Sequence, residues 1–289
     1  MPDFITRFAP SPTGLLHLGH AFSGLTAARA AKEAGGKFLL RIEDIDQTRC
    51  RPAFEQAIYD DLAWLGLSWE QPVRRQSDCF ADYSEALQRL IDKGLVYRCF
   101  KTRTEILDEI ARAPHLSPDG PEGPLYIGAP LAAHEERSLL AEGAPFAWRL
   151  SVEAARTHLG ARLAELSFTE EALDPSHEQH TVKVRIDLFG DVVVARKDSG
   201  TSYHLAATHD DALQGVTHVI RGEDLRPAAH LHRLLQALLD WPAPVYRHHR
   251  LLTDESGRRL AKRDKSMTLQ AMREAGATPQ SVRARLGFA

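Results

Sequence analysis

The chain has few of the residues that mark secreted, disulfide-bonded or membrane proteins. Its three cysteines, Cys50, Cys79 and Cys99, are odd in number and widely spaced, which argues against a disulfide framework and for a reducing compartment. No apolar run approaches the length of a membrane span, and no charged or apolar leader precedes the first predicted strand. From 289 residues with 43% hydrophobic content we expect a soluble protein of one large domain, with or without an insertion. We further expect it to be a cytoplasmic monomer without a membrane partner.

The chain also lacks a large net charge, and its −3 taken alone argues against a nucleic-acid-binding protein. The charge is unevenly distributed, however. Residues 245–289 contain ten Lys or Arg and four Asp or Glu, so this segment is +6 and the remaining chain is −9. A basic end on an acidic body favours a local contact with phosphate or RNA, although a solvated pair of charged helices is the alternative.

What the chain does contain is a dense motif near its start. Residues 4–8 predict a strand, prolines and glycine then interrupt regular structure, and apolar residues recur at helical spacing over 16–34. His17 and His20 lie on the first helical turn, three residues apart, so both can face one ligand. Gly19 between them leaves room for a flat nucleobase. The unpaired N–H groups of a helix start suit an anionic phosphate, and a solvated surface helix is the alternative.

Strands and helices alternate through much of the chain. Apolar periodicity predicts a strand at 37–42, helices at 52–65, 80–93, 203–213 and 228–239, and strands at 217–220 and 245–248. This alternation predicts an α/β fold with a Rossmann-like, doubly wound parallel sheet, whose ligands bind at the carboxyl ends of the strands. Arg7 and Glu43 fall at two such ends.

The alternation changes after residue 96. Residues 113–130 are rich in Pro and Gly and predict a loop, and the period-two pattern over 181–194 predicts an antiparallel hairpin across Gly190. We therefore expect four segments. The two halves of the Rossmann-like domain are residues 1–95 and 198–250. An inserted α+β connective domain spans 96–197. The last segment, 251–289, is a basic loop followed by short helices.

A second motif makes the interpretation specific. Arg-Arg-Leu-Ala-Lys-Arg at 258–263, together with His17-Leu-Gly-His20, resembles the KMSKS and HIGH signatures of class I aminoacyl-tRNA synthetases. The octet at 7–14, Arg-Ile-Glu-Asp at 41–44 and Val-Ile-Arg-Gly-Glu-Asp at 219–224 narrow the resemblance to the glutamyl and glutaminyl branch. Because 26 residues follow Arg263, we expect no anticodon-binding domain. That arrangement resembles the stand-alone paralogues that activate glutamate and attach it to the queuosine base of tRNA(Asp).

The resemblance implies substrates and site residues. It implies L-glutamate, ATP with Mg²⁺, and tRNA(Asp) carrying queuosine, with His17, His20 and Lys262 as catalytic groups on the phosphates. The implied ATP-binding residues are His17, Gly19, His20, Arg259, Leu260, Ala261, Lys262 and Arg263. The implied glutamate-binding residues are Arg7 and Arg221 for the carboxylates, Tyr203 with its phenol, Ser11 and Glu43 for the ammonium, and Phe8, Ala9 and Pro10 from the same loop.

Some of these residues depart from the family pattern or have an alternative interpretation. Arg259 and Ala261 replace the Lys and Ser of the KMSKS pattern, and Ala261 loses a hydroxyl that could bond phosphate or fix the loop. Glu43 could instead pair with Arg41 or Arg49, and Tyr203 could be an ordinary core residue. Asp210 and Asp211 receive no role.

The inserted segment departs from the resembled paralogues at a zinc site. Those proteins often hold zinc with a C-x-C pair and a later Y-x-x-x-C, but here Lys101 and Pro130 stand where cysteine ligands are needed. Cys99 and Tyr126 cannot form a tetrahedral structural site alone. The spacing of His115 and His134 does not point to their recruitment. We therefore predict no structural zinc.

Two alternatives to a queuosine-modifying ligase remain. The first is a truncated glutamyl- or glutaminyl-tRNA synthetase that charges the 3′ end of a tRNA. The second is a non-catalytic paralogue that binds an amino acid or RNA. His17, His20 and Lys262 argue against the second, because a pure binding protein has no use for groups that stabilise a departing pyrophosphate.

Overall fold

The computed structural model describes residues 3–112, 119–121, 123–174, 176–253 and 267–288. Its helices are α1 (Leu18–Glu33), α2 (Pro52–Trp64), α3 (Phe80–Asp92), α4 (Arg103–Arg112), α5 (Ala133–Ala141), α6 (Val152–Leu159), α7 (Arg162–Glu165), α8 (Tyr203–Leu213), α9 (Ala228–Leu239), α10 (Leu269–Glu274) and α11 (Pro279–Arg285). Its strands are β1 (Ile5–Phe8), β2 (Lys37–Ile42), β3 (Glu70–Arg75), β4 (Val96–Cys99), β5 (Asp119–Gly120), β6 (Gly123–Pro124), β7 (Ala147–Leu150), β8 (Ser167–Glu171), β9 (Gln179–Lys183), β10 (Val193–Ala195), β11 (His218–Gly222) and β12 (Val245–His249).

Two parallel strand sets meet at β1 and β11. On one side β1, β2 and β3 pair in that order, and on the other β11, β12 and β8 do so, all in parallel. Thr217 joins the two sets, because its N–H donates to the Ile5 carbonyl at 2.9 Å and its hydroxyl accepts from the Ile5 N–H at 2.9 Å. The predicted Rossmann-like fold is confirmed. The strand order reverses at β1 and β11, which is where doubly wound folds bind their ligands.

Strand β3 was not predicted from the sequence. Its residues are exposed or half-buried, and it contains Pro72, which cannot donate to a ladder. Both features suit its place at the edge of the β1–β2–β3 set. The hydrophobic periodicity that identifies buried strands is therefore missing there.

The hairpin predicted across Gly190 is wrong. Strand β9 pairs antiparallel with β8, whereas β10 pairs antiparallel with β7 in a separate sheet with β4. Gly190 does not form a turn but allows the backbone of Tyr126 to pass close to it. A Cβ at residue 190 would lie 2.2 Å from the Tyr126 carbonyl oxygen. The inserted-domain boundaries of 96–197 stay a prediction: β4, β7 and β10 form their own sheet, but β8 and β9 extend the sheet of β12.

Short C-terminal helices return to the main core. Arg283 donates to the Leu65 carbonyl at 3.0 Å, and Arg273 lies 3.5 Å from the Asp61 carboxylate, so α10 and α11 are both tied to α2 and the turn that follows it. Leu269 and Phe288 are buried with residues of α1 and β2. Among the described residues, no helix is long and apolar enough to cross a membrane.

Candidate active site

The first turn of α1 brings the two predicted histidines together. His17 is the N-cap of α1, and its Nδ1 accepts from the Gly19 N–H at 3.1 Å. His20 Nδ1 accepts from the His17 N–H at 3.2 Å, and the two rings stack with centroids 3.9 Å apart. A neutral histidine that accepts at Nδ1 carries its proton on Nε2. Both imidazoles can therefore donate a hydrogen bond from Nε2 to an oxyanion.

The structure gives Gly19 a steric reason to be glycine. A Cβ at this position would lie 3.0 Å from His17 Cε1 and 3.1 Å from its Nδ1. Any side chain would therefore push the capping imidazole away from the helix start. Room for a nucleobase beside Gly19 stays a prediction.

The predicted basic loop lies outside the described residues, and with it Arg259, Leu260, Ala261, Lys262 and Arg263. The chain on both sides of this loop contacts α1 or the residues before it. On the C-terminal side, Thr268 forms a β-bridge with His17, and the Leu269 N–H donates to the Leu16 carbonyl at 2.9 Å. On the N-terminal side, the Arg250 guanidinium lies 5.3 Å from the Phe22 ring centroid. The described residues that flank this loop on both sides therefore lie beside α1.

Arg7 and Glu43 lie in one buried ion-pair network. Arg7 donates from Nε and Nη2 to the two carboxylate oxygens of Asp211, at 2.9 and 3.2 Å. Arg41, fully buried, donates to Asp211 at 2.7 Å and to Glu43 at 3.0 Å. Burial disfavours ionisation of Asp211, but Arg7 and Arg41 outweigh it and lower the pKa of this carboxyl. Both arginines are thus paired with carboxylates of the protein itself.

Glu43 pairs with Arg41, which is the alternative to a role in binding the substrate ammonium. Burial raises the pKa of Glu43, although Arg41 and Arg7 oppose that shift. The predicted role of Glu43 toward the substrate ammonium stays a prediction. The Glu43 N–H donates to the Pro10 carbonyl at 3.0 Å, which fixes the loop containing Ala9 and Ser11 against the end of β2. Phe8 is buried in the main core.

Asp210 supports the same network from the helix side. It accepts from Arg74 at 2.8 Å, Gln76 at 3.0 Å and Tyr83 at 2.9 Å, and it is completely buried. Burial opposes its ionisation, but the hydrogen bond from His209 and the charge of Arg41 lower its pKa overall. Asp210 and Asp211 therefore connect α8 to β1, β2, β3 and α3.

Arg221 is different, because its hydrogen-bond partners are histidines. Its Nη1 lies 3.4 Å from His232 Nδ1, and its Nε donates to His248 Nε2 at 3.5 Å. The third nitrogen, Nη2, is buried and has no hydrogen-bond partner. The guanidinium also lies 5.2 Å from the Tyr246 ring centroid. A buried arginine with one open nitrogen and no carboxylate partner among the described residues suits a substrate anion.

Tyr203 lies in the same region, at the first position of α8. Its ring centroid is 5.7 Å from that of His232. Burial raises its pKa, and the charges of Arg221 and Arg7 oppose the shift. Tyr203 is therefore near enough to Arg7, Glu43 and Arg221 for their charges to affect it. That the four residues form one glutamate pocket stays a prediction.

Several residues of this site were not identified from the sequence. The sequence motifs assign no role to Asp211, His232 or His248. The available signal for Asp211 is a pair of acidic residues at 210–211, near the end of a helix with no other Asp, Glu, Lys or Arg. No short motif marks the two histidines, since they meet Arg221 only when α9 and β12 are folded against β11.

Cys99 lies in a small buried cluster with Tyr97 and Ile106, and Tyr126 packs against it. The Lys101 ammonium is 2.5 Å from the Glu109 carboxylate and 5.8 Å from the Tyr126 ring centroid. Among the described residues there is no group of three His, Cys, Asp or Glu that could hold a metal ion. His115 lies outside the described residues.

Metal analysis tests the zinc prediction. We expect the purified protein to contain no stoichiometric zinc and to keep its melting temperature in a strong chelator, because Lys101 occupies a ligand position and pairs with Glu109. A relative that retains all its cysteine ligands serves as the positive control. One tightly bound zinc per chain, lost together with Cys99 in a Cys99→Ala variant, would contradict the prediction.

Comparisons with known proteins agree with this geometry. The sequence profile of the family "tRNA synthetases class I (E and Q), catalytic domain" matches residues 3–288. A glutamyl-Q tRNA(Asp) synthetase of Rhodobacter capsulatus is 47% identical over 98% of this chain and 100% of its own length. Another of that name, from Symbiobacterium thermophilum, is 38% identical over 98% of this chain and 85% of its own.

Solved structures support the same assignment. A glutamate tRNA ligase from Elizabethkingia meningosepticum, crystallised with its amino acid, superposes with a TM-score of 0.77 at 26% identity, over 98% of this chain and 60% of that one. A methionyl-tRNA synthetase of Mycobacterium tuberculosis, 13% identical with a TM-score of 0.57, shares the fold. With the two-histidine helix start at the strand-order reversal, these matches show that the chain belongs to the family of class I tRNA synthetase catalytic domains for glutamate and glutamine.

Proposed function

We propose that this protein activates L-glutamate with ATP, without needing tRNA, and transfers the glutamyl group to the queuosine base in the anticodon of tRNA(Asp). The acceptor is proposed from the relatives named glutamyl-Q tRNA(Asp) synthetase, one of them matched along its whole length. We further propose that the protein acts as a cytoplasmic monomer.

The observation that carries glutamate as the substrate is the open guanidinium of Arg221. Glutamate has two carboxylates, one of which must be activated and one of which must be recognised. Arg221 is 4% exposed, and its Nη2 lacks a partner. A buried donor without a partner costs free energy that a bound carboxylate would recover.

The second substrate is ATP. Its phosphates would lie at the start of α1, where His17 and His20 can donate from Nε2, and we propose that Lys262 approaches them from its loop. Mg²⁺ would enter together with ATP, bound to its phosphates.

The chemistry needs positioning more than covalent help. An oxygen of the glutamate α-carboxylate attacks the α-phosphorus of ATP, and the bond to the bridging oxygen of pyrophosphate breaks. Negative charge accumulates on the phosphate oxygens and on the departing pyrophosphate. His17 and His20 would stabilise the first, and Lys262 the second, at the scale of preorganised donors in a site that excludes water.

Exchange of labelled pyrophosphate into ATP tests the proposal. Among the twenty amino acids we expect glutamate to support exchange without tRNA, and glutamine to be at least about 10²-fold poorer in kcat/KM. An amide cannot form the charge-assisted pair with Arg221 and leaves a buried charge unpaired. Equal exchange with both amino acids would refute the pocket assignment, and exchange only in the presence of tRNA would refute tRNA-independent activation.

A further inference from the structure

The two histidines beside Arg221 have their proton positions determined by geometry. Arginine only donates hydrogen bonds, so His232 Nδ1, 3.4 Å from Arg221 Nη1, must accept and carries no proton. The proton of a neutral His232 then resides on Nε2, which lies 3.2 Å from His204 Nδ1. By the same reasoning His248 accepts at Nε2 and is protonated at Nδ1, which donates to Glu170 at 2.7 Å.

Both imidazoles are held in their neutral form. Burial, aided by the charge of Arg221, lowers the pKa of His232 well below its usual value. The same two causes lower the pKa of His248 to about 4, although Glu170 opposes the shift. Protonation of either ring would place a second positive charge against Arg221 and remove the lone pair that accepts from it.

This support differs from that of the other two arginines in the pocket. Arg7 and Arg41 each contact Asp211, so a carboxylate neutralises them within the protein. Among the described residues, no carboxylate lies within ion-pair distance of Arg221. A neutral partner can orient a guanidinium without consuming its charge, whereas a carboxylate partner does both.

We propose that His232 and His248 are specificity-determining positioning residues: they hold Arg221 from two sides without neutralising it, so that its full charge and its Nη2 select a substrate carboxylate over an amide. This inference rests on the proposed function. The carboxylate selected is the γ-carboxylate, because the α-carboxylate is the group that reacts with ATP.

A charge change at His232 tests the idea. His232→Glu places a carboxylate beside Arg221 and neutralises it, so we expect the ratio of kcat/KM for glutamate over glutamine to fall at least about tenfold. The loss should appear in KM for glutamate, with kcat changed little. His232→Gln offers a neutral amide oxygen as acceptor and should keep the ratio within a factor of about three.

A control at a half-buried position separates this effect from the general cost of a new carboxylate on α9. His230→Glu adds the same charge on α9, but His230 accepts from the Arg185 N–H and faces Phe168. It should leave the glutamate-to-glutamine ratio as in the wild type. An unchanged ratio in His232→Glu, or an equal fall in His230→Glu, would overturn the proposal.

A spectroscopic measurement on the unmodified protein covers the case in which His232→Glu does not fold. Nitrogen-15 spectra should show both rings neutral between about pH 5.5 and 8, with the proton on Nε2 of His232 and on Nδ1 of His248. The charged or titratable groups that face this pair are Arg7, Arg41, Glu170, Tyr203, His204, Arg221, Arg226 and Tyr246. Titration of either ring near its usual pKa, or the opposite tautomers, would overturn the proposal even if wild-type exchange with glutamate failed and refuted the proposed function.

Discussion

His17→Ala and Lys262→Ala are each expected to lower the maximal rate of glutamate-dependent ATP–pyrophosphate exchange about 10²–10³-fold, with little change in KM for glutamate. Both side chains are assigned to charge that develops on the phosphates during the reaction, whereas glutamate is held by the Arg221 side of the pocket. Steady-state exchange at saturating ATP separates the two parameters. A variant with the wild-type rate would refute the ATP-site assignment of that residue.

His17 also caps α1, so its loss has a structural effect that must be distinguished from catalysis. Removing an N-cap costs about 1 kcal/mol of stability. His17→Asn keeps a side-chain acceptor at the cap but lacks the Nε2 donor, and we expect it to unfold near the wild-type temperature while remaining as slow as His17→Ala. His134→Ala and Lys183→Ala change exposed residues of the same types and should keep full activity.

The elements that place this site could be predicted from the sequence because their signals are local. The residue spacing of α1, α8 and α9 gave those helices, and α8 and α9 begin and end at the predicted residues. The carboxyl ends of β1 and β2 were identified as ligand-binding positions, and Arg7 and Glu43 do lie there in one buried network. Each of these predictions depends only on residues that are close together in the sequence.

The rest depends on contacts between distant residues. Arg7 and Asp211 are 204 residues apart, and nothing near either one shows that the arginine is neutralised within the protein. The motifs predict the same role, binding of a substrate carboxylate, for both Arg7 and Arg221. The fold separates them, because α8 supplies Asp211 to the first while α9 and β12 supply neutral imidazoles to the second. The failed hairpin has the same cause, since period-two alternation does not specify a strand's partner.

The acceptor can be tested directly with labelled glutamate. We expect transfer to tRNA(Asp) that carries queuosine, none to the same tRNA without queuosine, and none to tRNA(Glu). In the transfer step a queuosine hydroxyl attacks the carbonyl carbon of glutamyl-adenylate, an ester forms, and AMP leaves with the electrons of the broken acyl–phosphate bond. Substrate tRNA(Asp) trimmed of its 3′-terminal adenosine should be labelled as well as the intact molecule, because the terminal ribose takes no part.

Salt should weaken the interaction with this tRNA. The +6 segment at 245–289 supplies the positive charge, but part of it is used internally, since Arg247 pairs with Glu171, Arg273 with Asp61, and Arg283 with a backbone carbonyl. Among the described residues of this segment, Arg250 and Arg285 are exposed and are expected to contact phosphate. We expect the basic residues of 258–265 to add to these contacts. We expect the affinity to fall more than about tenfold between roughly 50 and 200 mM salt. Labelling of tRNA(Glu) that disappears when its 3′ adenosine is removed would show instead that the protein charges tRNA ends.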